Sequence, residues 1–160
     1  MDKEYYVHES AFIDEDVEVG ARTKVWHNSH ISRGARIGSD CSIGQGVYIG
    51  NNVVIGDGCK LQNNVNIYDG VTLENNVFFG PNSTTTNAKH PRSCINIPVE
   101  NYKKTLVKDG ASIGASAVLV CKNGSTLIIG ENATVGSGAI VTKDVAKNTT
   151  VVGNPAVAIL

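Results

Sequence analysis

Residues 13–79 read IDEDVEVGARTKVWHNSHISRGARIGSDCSIGQGVYIGNNVVIGDGCKLQNNVNIYDGVTLENNVFF, and a six-residue period runs through them. Stepping by six from Ile13 lands on Val19, Val25, Ile31, Ile37, Ile43, Ile49, Ile55, Leu61, Ile67, Leu73 and Phe79, all apolar. Two residues before each stands a small or slim side chain, as at Ala11, Thr23, Ser29, Ala35, Cys41 and Cys59. Glycine follows many of them directly, as at Gly20, Gly38, Gly44, Gly50, Gly56 and Gly80. A helix repeats its apolar face every 3.6 residues and a plain strand every two, so neither produces a period of six. A short strand followed by a tight corner, repeated, does. Hexapeptide self-similarity of this kind marks a parallel β-helix, an all-β solenoid.

Three hexads make one triangular coil of about 18 residues, and stacked coils lie at the spacing of paired strands, about 4.8 Å. The apolar hexad residue points inward, and the slim residue two before it sits near the corner. Asn51-Asn52, Asn63-Asn64 and Asn75-Asn76 occupy corners, where a left-handed backbone is tolerated by Asn and Gly. The hexads stop after Phe79. Residues 84–108 read as an excursion loop without rungs. The pattern returns at Ile113 and Leu119, slips at Cys121-Lys122-Asn123-Gly124, and resumes at Ile129, Val135 and Val141. Ile129 follows Leu119 by ten residues rather than six, which reads as a corner enlarged by four. A C-terminal tail, 146–160, holds one more apolar pair at Val151-Val152. The expectation is one domain, 1–160, of about six coils and roughly 28 Å of prism. Long loops thrown out of regular structure are mostly functional. A flat prism face offers no pocket, so a loop together with a neighbouring subunit is expected to make one, in a homotrimer with sites between subunits.

Composition narrows the function. The 160 residues are 41 % hydrophobic and 18 % charged, with net charge −1. No basic excess points to nucleic acid, and no stretch approaches a membrane span. The N-terminal MDKEYYVHES is polar and acidic and does not read as a signal peptide, so a cytoplasmic protein is expected. The four cysteines, Cys41, Cys59, Cys94 and Cys121, form no CxxC pair, and no metal site is expected. Cys41 and Cys59 lie 18 residues apart and are expected to stack in the coil as small buried thiols.

The repeat resembles the hexapeptide-repeat acyltransferases, which use acetyl-CoA or another acyl donor, and the likeness runs from about residue 11 to 156. Val152-Gly153-Asn154-Pro155-Ala156 is similar to the V-x-G-x-P-A ending of many of them. A closer resemblance is to the branch that N-acetylates nucleotide-linked 3-amino sugars, of which UDP-2-acetamido-3-amino-2,3-dideoxy-glucuronate is the best-characterised type. It is carried by Val25-Trp26-His27, Gln62 to Val65, Tyr68 to Val71, Val77 to Pro81, Asn87, Pro91-Arg92-Ser93, Thr105 and Gly110 to Ala115. The resemblance implies a left-handed β-helix, acetyl-CoA as co-substrate, a nucleotide-sugar acceptor and a role in surface-glycan biosynthesis such as that of O-antigen. The chain departs from the branch at His90, where Asn is usual, at the enlarged corner, and at Val157, where a basic residue is usual.

Acyl transfer from a thioester needs a neutral amine, placement against the carbonyl and stabilisation of the oxyanion. A sugar amine is partly neutral at pH 7, so a strong base is optional. The resemblance implies that Asn87 orients the acceptor; as a bare residue it also reads as a turn-capping Asn. His90, the loop histidine, reads as a base or as a substrate contact. Arg92 offers a fork for a carboxylate or phosphate, or is a plain surface arginine. Gln62, Asn63, Asn64 and Asn82 form a polar ladder that either closes corner hydrogen bonds or faces the nucleotide sugar, and Tyr68 can pack on a ring. For the coenzyme, the late coils offer Gly114, Ala115, Gly136, Ser137, Lys143 and Pro155.

Other readings stay open. The same fold can acetylate another sugar, serine or a xenobiotic, although those relatives usually place a catalytic His in the coils, and here the coils hold only His27 and His30. A β-helical zinc lyase of the carbonic anhydrase type needs three histidines per site, and after His30 only His90 follows. A non-catalytic scaffold would keep its rungs and lose its loop polarity, whereas this loop keeps Asn87, His90 and Arg92.

Overall fold

A computed structural model describes residues 4–159; Met1 to Lys3 and Leu160, part of the expected domain 1–160, lie outside the described residues. The chain winds as a three-faced parallel β-solenoid. Face one stacks eight parallel strands, from Tyr6–Val7 through Lys60–Leu61 and Phe78–Phe79 to Thr150–Val152, and is finished by an antiparallel strand, Val157–Ala158. Face two stacks seven, from Phe12–Ile13 to Ile140–Val141. Face three stacks six, from Glu18–Val19 to Leu127–Ile129, and a bridge from Ile129 to Val145 adds one more rung. The one helix among the described residues is a single turn, Val99–Asn101, in the excursion.

Successive residues of a strand point to opposite sides. The second residue of each two-residue parallel strand therefore faces the prism, as do the first and third of the three-residue strands on face three, and Val25, Ile43, Leu61, Phe79, Ile113 and Val135 form one buried column on face one. Ile31, Ile49, Ile67, Thr85 and Leu119 do the same on face two. Register is fixed because a slip of one residue would turn these columns to water.

The corners are set by backbone geometry. From Asp16 to Asn82 every sixth residue has positive φ, including Asn28 (54°), Gly46 (67°), Asn64 (61°) and Asn82 (61°). Each such residue turns the chain, and most donate their N–H to a carbonyl one turn back, as Asn64 does to Gln45 O (2.8 Å) and Asn82 to Asn63 O (3.0 Å), while Asn28 donates to Ser10 Oγ (3.0 Å). The adjacent corner residue uses its side chain for the same purpose. Asn63 Oδ1 accepts the Gln45 N–H at 3.0 Å, as Asp69 accepts Asn51 N–H (2.8 Å) and Asp57 accepts Ser39 N–H (2.7 Å).

The slim column carries hydroxyls and thiols that donate across turns. Thr23 Oγ1 donates to Gly38 O (2.7 Å) and Ser29 Oγ to Gly44 O (2.6 Å), while Cys41 and Cys59 thiols reach Gly56 O (3.2 Å) and Glu74 O (3.1 Å). All four cysteines are free, and the three in the coils are buried. Hydrogen bonding with Cys41 and burial push the Cys59 thiol up.

Three sequence expectations change. Seven turns and an eighth rung replace about six coils, because Val7, Val107 and Val145 also carry rungs. The excursion is narrower than 84–108, since Thr84–Thr85 pairs on face two and Thr105–Val107 on face three. Thr85 escapes an apolar pattern because its buried hydroxyl serves the Tyr68 N–H (3.0 Å) instead. The segment 146–160 is not only a tail, because Thr150–Val152 is a rung of face one.

Thr105 Oγ1 is buried without a hydrogen-bond partner among the described residues, next to Val71 and Leu127 in neighbouring strands. Thr105→Val is therefore expected to raise unfolding stability by about 1 kcal/mol, while Thr23→Val, which orphans the Cys41 N–H, lowers it by about 1–3 kcal/mol in denaturant titration. Asn63→Asp keeps the acceptor that Asp57 and Asp69 supply elsewhere and is expected to leave the melting temperature near wild type, whereas Asn63→Ala costs about 1 kcal/mol. Equal losses in the two Asn63 variants would refute the capping role.

Candidate active site

The prism has three edges, and the candidate residues fall on two of them. Gln62, Asn63, Asn64 and Asn82 lie on the edge between faces one and two, and so do Gly114, Ala115, Gly136, Ser137 and Pro155. Hydrogen bonds at one-turn steps trace this edge: Asn64 to Gln45, Asn82 to Asn63, Ser116 to Pro81, and Gly138 to Ala115. Tyr68, Asn87, His90, Arg92 and Lys143 lie on the edge between faces two and three or on the loop that leaves it. A single chain does not bring the two groups into one cleft.

The excursion opens at the second edge. Thr86 leaves face two and Lys104 enters face three, so the inserted segment replaces one corner. Asn87 sits at its root, half-buried. Its Nδ2 donates to the Asp69 carbonyl (3.3 Å), and its own carbonyl accepts the Lys103 N–H (2.8 Å). The first bond fixes the side chain to the solenoid, the second fixes the backbone, and Oδ1 is left as the side chain's free acceptor. Asn87 and His90 line one cleft of about 330 Å³ together with Lys89, Ile97, Lys103 and Asn123. His90 is exposed at this cleft. Tyr68 stands one turn before, 42 % exposed, with its ring 5.4 Å from Tyr48.

Arg92 is placed otherwise. It is exposed, its guanidinium donates to the Pro91 carbonyl (2.9 Å), and it does not line the Asn87 cleft. Lys143 is exposed on the same edge as the loop, away from Gly114 and Gly136. Gly114 is accounted for by stacking: a Cβ there would lie 2.4 Å from the Ser137 N. Ala115 is half-buried and Ser137 exposed along that edge, and Pro155 follows a cis peptide bond beside them. The polar ladder of Asn63, Asn64 and Asn82 is occupied with corner geometry, as described above. Gln62 remains the half-buried amide of that edge.

The cleft residues Lys89, Lys103 and Asn123 are absent from the sequence-based candidates. The available signal was positional. The excursion and the enlarged corner both fall between a face-two rung and a face-three rung, so they stack on one edge. Among the described residues no helix is long and apolar enough to cross a membrane, and no group of three His, Cys, Asp or Glu side chains is placed to hold a metal ion.

Comparison with known proteins agrees with the solenoid. The family described as bacterial transferase hexapeptide (six repeats) matches residues 16–51 and 52–87. Over 57 residues, 36 % of this chain and 28 % of the relative, the sequence is 49 % identical to dTDP-3-amino-3,6-dideoxy-alpha-D-galactopyranose 3-N-acetyltransferase of Aneurinibacillus thermoaerophilus. This chain thus spans less than a third of the length of that curated relative. The fold is shared with a GDP-perosamine N-acetyltransferase variant from Caulobacter crescentus, solved with CoA and GDP-perosamine (TM-score 0.66, 19 % identity, 96 % of this chain and 55 % of that one). It is also shared with AntD, an N-acyltransferase from Bacillus cereus solved with dTDP and 3-hydroxybutyryl-CoA (TM-score 0.60, 16 % identity, 96 % and 77 %). The repeats from residue 16 to residue 87 thus match the model of the bacterial hexapeptide transferases.

Proposed function

We propose that this chain is an acetyl-CoA-dependent N-acetyltransferase. Its acceptor is the 3-amino group of a UDP-linked amino sugar, with UDP-2-acetamido-3-amino-2,3-dideoxy-glucuronate the one its motifs fit, and its setting is cytoplasmic surface-glycan biosynthesis. The observation that carries this reading is the Asn87 cleft at the root of the excursion, on a hexapeptide prism. The relatives named above support the class: two are named as N-acetyltransferases of nucleotide-linked amino sugars, the third as an N-acyltransferase solved with dTDP, and two were solved with coenzyme A species.

The chemistry follows from the geometry of Asn87. Its amide nitrogen is held by the Asp69 carbonyl, so Oδ1 faces the acceptor and accepts one N–H of the sugar amine. The nitrogen lone pair then points at the thioester carbonyl. A C–N bond forms, the C–S bond breaks, and the departing coenzyme sulfur takes up the amine proton. Pre-orientation of this kind supplies much of the barrier reduction in a reaction that needs no strong base. His90 contacts the acceptor from the exposed side of the cleft without moving a proton.

The division of candidate residues between two edges supports a homotrimer. The edge carrying Gln62, Ala115 and Ser137 borders face two on the side away from Asn87. A neighbouring copy presenting that edge to the Asn87 loop completes the coenzyme groove. The relatives' dTDP- and GDP-linked sugars favour a second arm for the acceptor, in which the nucleotide differs and the amine chemistry stays.

The test is thiol release from acetyl-CoA with UDP-, dTDP- and GDP-linked amino sugars, beside light scattering for the trimer. Asn87→Ala is expected to lower kcat/KM about 100-fold or more at unchanged melting temperature. His90→Gln is expected to cost less than about tenfold with an unshifted pH profile, since loss of a true base costs about 10²–10⁴-fold. Full activity in Asn87→Ala, or no thiol release with any amino sugar, overturns the reading.

A further inference from the structure

The enlarged corner is clipped to the excursion at both roots. The Cys121 N–H donates to Thr86 Oγ1 (3.0 Å), where the loop leaves, and the Leu127 N–H donates to the Lys104 carbonyl (3.0 Å), where it returns. From the other side Asp144 holds the corner, accepting Lys122 Nζ at 2.7 Å and the Ile128 N–H at 2.8 Å. Burial works against the Asp144 charge, but these two donors keep its carboxyl below the usual range. The two irregular segments of the chain therefore form one unit on adjacent turns. The tip of the corner delivers Asn123 to the wall of the Asn87 cleft.

The charge in that cleft is one-sided. Lys89 and Lys103 line it, both half-buried, together with the imidazole of His90 and the amides of Asn87 and Asn123. No Asp or Glu lines it; Glu100 lines the adjacent hollows with Tyr102 and Lys104. Among the described residues neither Lys89 nor Lys103 pairs with a carboxylate, whereas Lys122 is already occupied by Asp144. Two lysines gathered in one cleft without a counter-charge repel each other, and an incoming anion relieves that repulsion.

We propose that Lys89, Lys103 and Asn123 form an anion-reading subsite within the Asn87 cleft, built by the excursion and the enlarged corner together. It takes a carboxylate or phosphate group of the bound nucleotide sugar. This rests on the reading of the cleft as the acceptor site, and it moves the anion contact from Arg92 to the two lysines. A six-residue spacing between Leu119 and Ile129 would leave no Asn123 at the wall. The four extra residues are thus a specificity element.

Equilibrium binding by calorimetry separates the possibilities, with UDP-glucuronate, UDP-glucose and UDP as probes that cannot be acetylated. The proteins are the wild type, Lys103→Gln, the Lys89→Gln/Lys103→Gln pair and, as a control on a remote edge, Lys147→Gln. If the anion is the carboxylate, wild type binds UDP-glucuronate about tenfold or more tighter than UDP-glucose, and the lysine variants erase the difference. If it is the diphosphate, the variants weaken all three probes alike by about tenfold or more. Variants that bind every probe as wild type does, or that change only the affinity for coenzyme A, overturn the proposal. Lysine-dependent binding in a protein that acetylates no amino sugar would sustain the subsite and sink the proposed function. Acetylation with lysine-independent binding would do the reverse.

Discussion

The left-handed residue at every sixth position is the constraint on which the rest depends. A side chain with Cβ pays about 1–2 kcal/mol to sit there, and Asn, Asp and Gly pay least. From Asp16 to Asn82 the chain meets this demand twelve times in succession, with Arg22 the one residue outside that chemical group. Arg22 is tied to Asp40 one turn on by two contacts of 2.7 Å. Most left-handed corners aim an N–H at the turn below, and the strand that follows is only two or three residues long. Such strands have no stability alone; they exist because the corner on each side fixes their register over the previous turn. The apolar columns fill the interior that the corners define.

The constraint is suspended at one edge. Gly70 is its last regular member between faces two and three; the next turn carries the excursion and the one after it the enlarged corner, with Gly124 alone at positive φ. The other two edges keep their left-handed residues through the same turns, at Asn76, Gly110 and Asn132 on one and at Asn82, Ser116 and Gly138 on the other. The solenoid therefore tolerates insertions because two edges of each turn continue to hold register while the third is free. The inserted segments inherit a rigid base. Asn87 is fixed by Asp69 below and Lys103 beside it, and the proposed orientation of an amine depends on such a fixed base.

Much of this was legible in the residues. The hexad positions gave the buried columns, and the Asn-Asn corners gave the turns. The ten-residue step from Leu119 to Ile129 gave the enlarged corner. Thr85 was not legible as a rung, because its place in an apolar column is justified by a hydroxyl bond to Tyr68 that no periodicity reveals. Thr105–Val107 was hidden for another reason: its partners are Val71–Leu73, separated by the whole excursion. Asn63 shows the ambiguity of amides, since the same Oδ1 that can read a sugar hydroxyl caps the Gln45 N–H, while Asn64 and Asn82 hold left-handed corners. The cleft lysines have no signature in spacing along the chain; they come together because both insertions fall on one edge.

A prism of flat faces cannot surround a substrate, and this chain does not change that by itself. Asn87 stands on one border of face two and the slim, amide-rich edge on the other. Bridging them within one chain would require a ligand lying flat and open to water, where hydrogen bonds to the acceptor contribute least. Under the proposed trimer, rotation of a second copy places its slim edge against the first copy's excursion, and closed symmetry repeats that junction three times. The excursion then serves as the wall that a neighbouring prism lacks. The enlarged corner stiffens that wall from behind through Thr86 and Lys104. On this view the insertions are confined to one edge because only that edge looks into a junction, and the left-handed corners elsewhere stay regular because they face either solvent or their own next turn.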